Sequence, residues 1–450
     1  MSKLFGTDGI RSRVNEYPMT PDICLRISRA AGYILSKKNK INRVIIGKDT
    51  RLSGYVFEPV IASGFSSVGL EVLLVGPIPT PALPMLVGTL RADVGVMITA
   101  SHNTFEDNGL KIFNNEGYKI SNELEEKIES YVINDQEYAK LNNKNIITGI
   151  TKRLEDATGR YTESIKNTFT KNKTLKGLKI VIDCANGATY KVAPEILWEL
   201  GCEVITMGDN PNGKNINYNC GAVYPNNLSK KVLEVKADIG LAFDGDGDRI
   251  IIIDDKGNII DGDKIIALLA TEFKRKNMLK NSKVITTLMS NISFEKYIND
   301  LGLELIRTNV GDRNVINKML ETGSNIGGEQ SGHIILSDYS KSGDGLLSAV
   351  QILDILTSSE KSSSELFNLY NPVPQIQKNI EVQDKEKSFN SNTNLHKFIS
   401  SFNKSNNQSR LLIRPSGTES IIRILVEGSN INEIQNISLE AEKLIKVENV

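Results

Sequence analysis

Short apolar runs, each closed by a polar loop, recur along this chain in a fixed order. "RVIIGKDTR" from Arg43, "LKIVIDCANGAT" from Leu178 and "KVITTLMSN" from Lys283 each start near a basic residue and run through β-branched positions. Such runs read as buried strands, and the stretches that follow, including "APEILWEL" and "SFEKYINDL", read as helices. A glycine then opens a second strand in each case: "GLEVLLVG" at Gly69, "GCEVITMG" at Gly201 and "GLELIRTN" at Gly302. A third strand follows in "ADVGVMITASHN" from Ala92, "ADIGLAFDGDGDR" from Ala237 and "SNIGGEQSGH" from Ser324. Strand, helix, strand and strand again, three times over, predicts three related α/β units.

The tail breaks this pattern. The two prolines of "NLYNPVPQIQKN" read as a linker, and a stretch rich in Asn and Ser follows. "RLLIRPSGTESIIRILVEG" then predicts two strands around a tight loop, and "INEIQNISLEAEKLIKV" a last helix. The expected fold is therefore α/β: three related α/β domains with mixed sheets plus a smaller C-terminal α+β domain. Their expected bounds are 1–155, 156–255, 256–370 and 371–450.

Composition narrows the class further. The chain has 450 residues, 40% hydrophobic and 24% charged, enough for several cores. Lys plus Arg equals Asp plus Glu, 54 each, so charge gives no reason to expect a nucleic-acid or membrane-surface partner. Cys24, Cys184, Cys202 and Cys220 form no CxxC pair, which favours reduced thiols. With no apolar leader at the start and no membrane-length apolar run, a cytoplasmic protein is expected.

The candidate chemistry sits at the ends of the third strands, which carry "SHN", "DGDGDR" and "GEQSGH". In parallel α/β sheets ligands bind beyond the carboxyl ends of strands, so these loops are expected to share a cleft. Asp244, Asp246 and Asp248, separated by glycines, offer three hard oxygen ligands that suit Mg²⁺. A calcium loop is the competing reading, but Arg249 stands where that loop needs glycine, and "IIIID" continues as a strand. A solvated acidic turn is the plain alternative. "RPSGTES" sets Arg414, Ser416, Gly417 and Thr418 between two strands, with Arg423 on the second, a combination that suits a phosphate dianion or an ordinary hairpin. Glu329, Ser331 and His333 form a polar rim fit for sugar hydroxyls, whereas His396 reads as surface. Ser101 beside His102 suggests a hydrolase, yet no GxSxG elbow exists. Neighbouring side chains on an extended segment also point apart, which makes His102 a poor base for Ser101. A metal loop and a phosphate loop instead favour phosphoryl transfer, with Ser101 as carrier.

These loops resemble those of the α-D-phosphohexomutases. The resemblance runs in order through "FGTDGIR", "GKDTRLSG", "TASHNTFEDNGLKIF", "DCANGAT", "AFDGDGDR", "VGDRNV", "GGEQSGH" and "RPSGTES". It implies four domains around a central cleft, with Ser101 as a phosphoserine. It also implies Mg²⁺ held by Asp244, Asp246, Asp248 and an oxygen of the Ser101 phosphate. Glu329, Ser331 and His333 would grip the sugar, while Arg414, Ser416, Gly417, Thr418 and Arg423 hold the non-reacting phosphate. Arg11, His102 and Lys111 would flank the phosphoserine, Lys111 as a candidate for proton transfer. Thr104 and Ser420 depart from the family's usual prolines, which bears on loop rigidity. Gln330 stands where glucose and mannose mutases commonly have Met, pointing to the glucosamine branch. The expected reaction exchanges glucosamine 6-phosphate and glucosamine 1-phosphate through a 1,6-bisphosphate, which also serves as activator. A phosphoglucomutase/phosphomannomutase is the alternative, and a monomer or homodimer is expected.

Overall fold

The computed structural model describes residues 4–6, 8–36, 42–142, 148–405, 409–416 and 420–447. Each of the three units is built on one plan. In the first, strand Arg43–Lys48 lies between Glu71–Pro77 and Val94–Ile98, parallel to both, and Asp107–Phe113 returns antiparallel to Val94–Ile98. In the second, Lys179–Asp183 lies between Glu203–Met207 and Ile239–Phe243, and Ile250–Asp254 returns antiparallel. The third repeats this with Lys283–Thr287, Glu304–Thr308, Ile326–Gly328 and Ile334–Leu336. Three mixed sheets with the same internal order follow from three copies of one sequence pattern.

The central strands are apolar at successive positions because helices cover both faces. Ile45 packs toward helix Ala82–Thr89, whereas Val44 and Ile46 pack toward Phe57 and Ile61 of helix Gly54–Ser67. Besides clusters confined to each unit, the three units share one core. One apolar cluster continues from Ile45 and Leu83 through Tyr161, Ile180 and Phe243 to Ile266, Phe294 and Leu353. Such continuity fixes the loops of different sheets relative to one another.

The C-terminal unit has its own core, around Leu395, Ile413, Ile424, Val426 and Ile434. Its antiparallel sheet has strand Ile421–Gly428 between Gln375–Glu381 and Ser409–Pro415. The expected linker is therefore shorter than the sequence suggested. Only the prolines precede the sheet, and Gln375 onward is an edge strand that buries Ile380. The Asn/Ser-rich stretch forms helix Thr393–Ser405, which sends Leu395 and Phe402 into this core; His396 on it is exposed. All four cysteines are free, three of them buried. No helix among the described residues is long and apolar enough to cross a membrane.

Candidate active site

The turn between Val94–Ile98 and Asp107–Phe113 carries Ser101 in a left-handed conformation, φ +49°. That conformation costs a non-glycine residue about 1–2 kcal/mol, so the surroundings must enforce it. They do so through buried polar contacts. The Ser101 amide donates to Thr99 Oγ1 at 2.9 Å, and Thr99 Oγ1 donates to Asp49 at 2.7 Å. Arg51, buried to 1% exposure, donates to Asp49 and to the carbonyls of Ser101, Asn103, Thr104 and Asp107. From the second unit, Asn217 Nδ2 donates to the Ser101 and Asn103 carbonyls, each at 2.8 Å. Donors thus hold the carbonyls of both Asn103 and Thr104. At 420, the carbonyl of the serine accepts from the Val382 amide.

The left-handed turn also corrects the expectation for His102. The chain is not extended at Ser101, so the two side chains do not point apart: His102 Nδ1 lies 3.4 Å from Ser101 Oγ. Burial, with Arg249 and Arg11 nearby, pushes the imidazole down to about 3, leaving it neutral.

Ser101 Oγ donates to Asp244 at 2.7 Å, which joins the first loop to the second. Asp244, Asp246 and Asp248 are buried, and one oxygen from each lies within 4.8 Å of the others. Gly245 makes this packing possible, because a Cβ there would sit 2.5 Å from Asn217 Nδ2 and 2.6 Å from the Ser101 carbonyl. Asp246 accepts from Thr80 at 2.6 Å and Lys111 at 2.9 Å; Asp248 accepts from Lys111 at 2.8 Å. Two further oxygens, Asp246 Oδ1 and Asp248 Oδ1, are buried without a hydrogen-bond partner. Three buried carboxylates that converge, with Lys111, Arg249 and His333 around them and two oxygens still lacking a hydrogen bond, fit a hard divalent cation held by oxygen. Burial, then Asp248 and Asp246, raises the Asp244 carboxyl well above its usual range. Burial acts the same way on Asp248, but Lys111 and His333 outweigh it and hold that carboxyl well below.

The third loop closes the opposite wall. A cavity of about 690 Å³ is lined by Arg11 and His102 of the first unit, Asp248 and Arg249 of the second, and Glu329 and His333 of the third. Arg423 of the C-terminal unit reaches the same cavity. Arg11 donates to Asn103 and Asp8, and Glu329 accepts from the Gly311 amide at 3.0 Å. Lys111 Nζ sits among Asp246, Asp248 and Asp8; burial opposes its charge, yet these carboxylates raise it well above its ordinary value. Charges of alternating sign close a ring beneath the cavity: Asp248, His333, Asp312, Lys119, Asp8 and Lys111, then Asp248 again. Burial would lower His333, but Asp248 and Asp312 raise it.

Other expected residues stand apart. Ser331 is exposed and does not line the cavity, and Gln330 donates to Asp261 at 3.3 Å. Arg414 and Arg423 face each other across adjacent strands beside a smaller pocket of 110 Å³, and Ser416 is buried next to them. Gly417 and Thr418 lie outside the described residues. Sequence reasoning gave no role to Arg51, Asp49, Thr80, Asn217, Asp8, Lys119 or Asp312. Asp49 and Arg51 had a signal, since charged residues at the end of a buried strand must find partners there.

Four family models match in order. They describe phosphoglucomutase/phosphomannomutase α/β/α domain I over residues 2–139, domain II over 159–257, domain III over 261–373 and the C-terminal domain over 378–443. The phosphoglucosamine mutase of Parvibaculum lavamentivorans is 52% identical over 384 residues, 85% of each chain. A phosphoglucomutase/phosphomannomutase family protein from Burkholderia thailandensis superimposes with TM-score 0.82 at 23% identity, over 99% of this chain and 97% of its own. The Aspergillus fumigatus N-acetylphosphoglucosamine mutase, solved with GlcNAc-6P and magnesium, gives TM-score 0.66 at 16% identity, over 99% and 96%. At such identities the two structures speak for the fold alone.

Proposed function

The chain belongs to the phosphoglucomutase/phosphomannomutase family, on its phosphoglucosamine mutase branch, and from this premise we propose how its cleft interconverts glucosamine 6-phosphate and glucosamine 1-phosphate. The observation that carries the reading is the Ser101 hydroxyl held 2.7 Å from Asp244 of a buried three-carboxylate cluster, whose Asp248 and the neighbouring His102 line a cavity reached by all four domains. Ser101 carries a phosphoryl group in the active enzyme. The sugar O1 attacks that phosphorus; the O1–P bond forms, the P–Oγ bond breaks, and the O1 proton leaves as Ser101 recovers its hydroxyl. The resulting 1,6-bisphosphate turns, and its 6-phosphoryl group returns to Ser101, freeing the 1-phosphate.

Asp244, Asp246 and Asp248, with an oxygen of the Ser101 phosphate, would hold Mg²⁺, which would supply positive charge to the moving phosphoryl group. Lys111 adds a fixed cation beside it. In the arrangement seen here Lys111 is charged, so it fits a proton donor directly and a base only after losing carboxylate partners. Arg11 and neutral His102 flank the phosphoserine. Arg249 bounds the transfer site, Glu329 and His333 orient the sugar, and Arg414 with Arg423 seats the phosphate that is not reacting.

Phosphorus NMR with glucosamine, glucose and mannose 6-phosphates and a trace of 1,6-bisphosphate tests the reading. Glucosamine 1-phosphate is the expected main product, with the highest kcat/KM of the three. A higher value for glucose or mannose would instead make the chain a phosphoglucomutase/phosphomannomutase. Ser101→Ala and exhaustive chelation should each abolish turnover; full activity after either would overturn the mechanism.

A further inference from the structure

The two strands bearing the phosphate-slot arginines carry a second polar pair four residues away, on the same face. Along Ser409–Pro415 and Ile421–Gly428, Arg414 pairs with Arg423, Leu412 with Leu425 and Arg410 with Glu427. Alternate residues share a face, so Arg410, Leu412 and Arg414 line up with Glu427, Leu425 and Arg423. The opposite face packs on helix Ile431–Val447, and Met289 of the third unit lies against the arginine face.

At the root of this hairpin Glu427 is 0% exposed. One carboxylate oxygen accepts from Arg410 and from Gln375, both at 2.7 Å. The other accepts at 2.8 Å from the amide of Ile292, the first residue of helix Ile292–Asp300 in the third unit. Arg410 also donates across the junction, to the Leu288 carbonyl at 2.8 Å. Beside it, Asn291 clasps the linker through the Val373 amide and carbonyl. A carboxylate buried between two domains is costly unless fully partnered, and here donors from both domains partner it.

We propose that Glu427 is a positioning residue for the phosphate slot, pinning the hairpin root to helix Ile292–Asp300 so that Arg423 reaches the cavity with Arg414 beside it. The lever is short: four strand residues span about 13 Å, so a swing of about 5° at the root moves the slot by about 1 Å. Misplacements of that size cost up to about a hundredfold when they occur at a reacting or binding centre.

The inference rests on the reading of Arg414 and Arg423 as the slot, so the test includes Arg414→Ala. In Glu427→Gln the new amide group meets the donors of Arg410 and Gln375, or else fails to accept from Ile292. The expected result is a rise of about tenfold in KM for both monophosphates, with kcat within about threefold of wild type. Nitroxides at Glu360→Cys and Glu440→Cys should report, by pulsed electron resonance, a broader distance distribution between the two units in Glu427→Gln. Arg414→Ala should raise KM without broadening that distribution. If Arg414→Ala leaves KM unchanged, the slot reading falls and takes the inference with it. If Arg414→Ala raises KM but folded Glu427→Gln does not, or does so with an unchanged distribution, the inference alone is overturned. Should Glu427→Gln not fold, Gln375→Ala, which removes one donor from the edge strand, carries the same comparison with the same outcomes.

Discussion

Arg51 shows how a residue that touches no reacting atom can decide whether Ser101 is in place. Its guanidinium satisfies Asp49 and four carbonyls of one turn, with under 2% of its surface exposed. Arg51→Met would leave a buried carboxylate and those carbonyls without donors, and breaking such a pair costs about 3–5 kcal/mol. A marked fall in melting temperature is the expected result. Arg51→Lys is more telling, since an ammonium keeps the charge for Asp49 but has only three donors and no planar fork. The turn should loosen, lowering kcat by about ten- to a hundredfold while KM changes little. Steady-state kinetics check this, and a KM-only effect would place Arg51 in substrate binding. The sequence showed an Asp and an Arg after an apolar strand but could not show the four carbonyls, because they belong to a turn some fifty residues on. His102 was misjudged for a related reason: its relation to Ser101 depends on one backbone angle, which is imposed by Thr99, Arg51 and Asn217 rather than by local sequence.

At the scale of elements, the repeating strands were legible because burial on both faces leaves little freedom in composition, and the carboxyl-end rule then brought three loops together. The C-terminal unit was less legible. Helix Thr393–Ser405 is mostly polar, and its few apolar residues matter only once the sheet they cover exists. Helix Gly345–Thr357 hides a different feature. Its N-cap, Asp344, accepts from the Leu347 amide and from Tyr161 of the second unit, each at 2.9 Å. Burial lifts this carboxyl from 3.8 to about 6. The folded protein therefore holds a proton that the unfolded chain releases near pH 4, so the protonated form favours folding. That contribution is fully present below about pH 4 and is lost as pH rises through about 6; the shift corresponds to about 3 kcal/mol. Asp344→Asn keeps a cap oxygen and removes the titration. Relative to wild type, its melting temperature should therefore gain as pH rises from 4 to 7. A constant difference across that range would show that Asp344 stays ionised in the fold.

At the scale of the whole molecule, four domains contribute to one cavity, and the proposed cycle makes unequal demands on them. Ser101, the carboxylate cluster and Lys111 stay fixed at one end, tied by the ring of alternating charges that also runs through Asp312 and His333 of the third unit. Arg414 and Arg423, proposed as the phosphate slot, lie on the C-terminal unit, whose core is separate from the apolar cluster that the other three units share. If the bisphosphate turns around inside the cavity, this slot must accept the 6-phosphate before the turn and the 1-phosphate after it. Each charge-assisted contact to phosphate is worth about 1.5–3 kcal/mol, so Arg423→Ala should lower kcat/KM by about ten- to a hundredfold. The forward and reverse values must fall together, because a catalyst cannot change the equilibrium constant. That parallel fall holds for any mechanism and does not discriminate. Release of the intermediate does. A weakened slot should let more 1,6-bisphosphate escape per turnover, and the variant should depend more strongly on added bisphosphate to keep Ser101 phosphorylated. Trapping released bisphosphate during turnover of labelled substrate measures this directly. Weaker binding of both monophosphates with wild-type leakage would mean that the slot captures substrate but does not hold the turning intermediate.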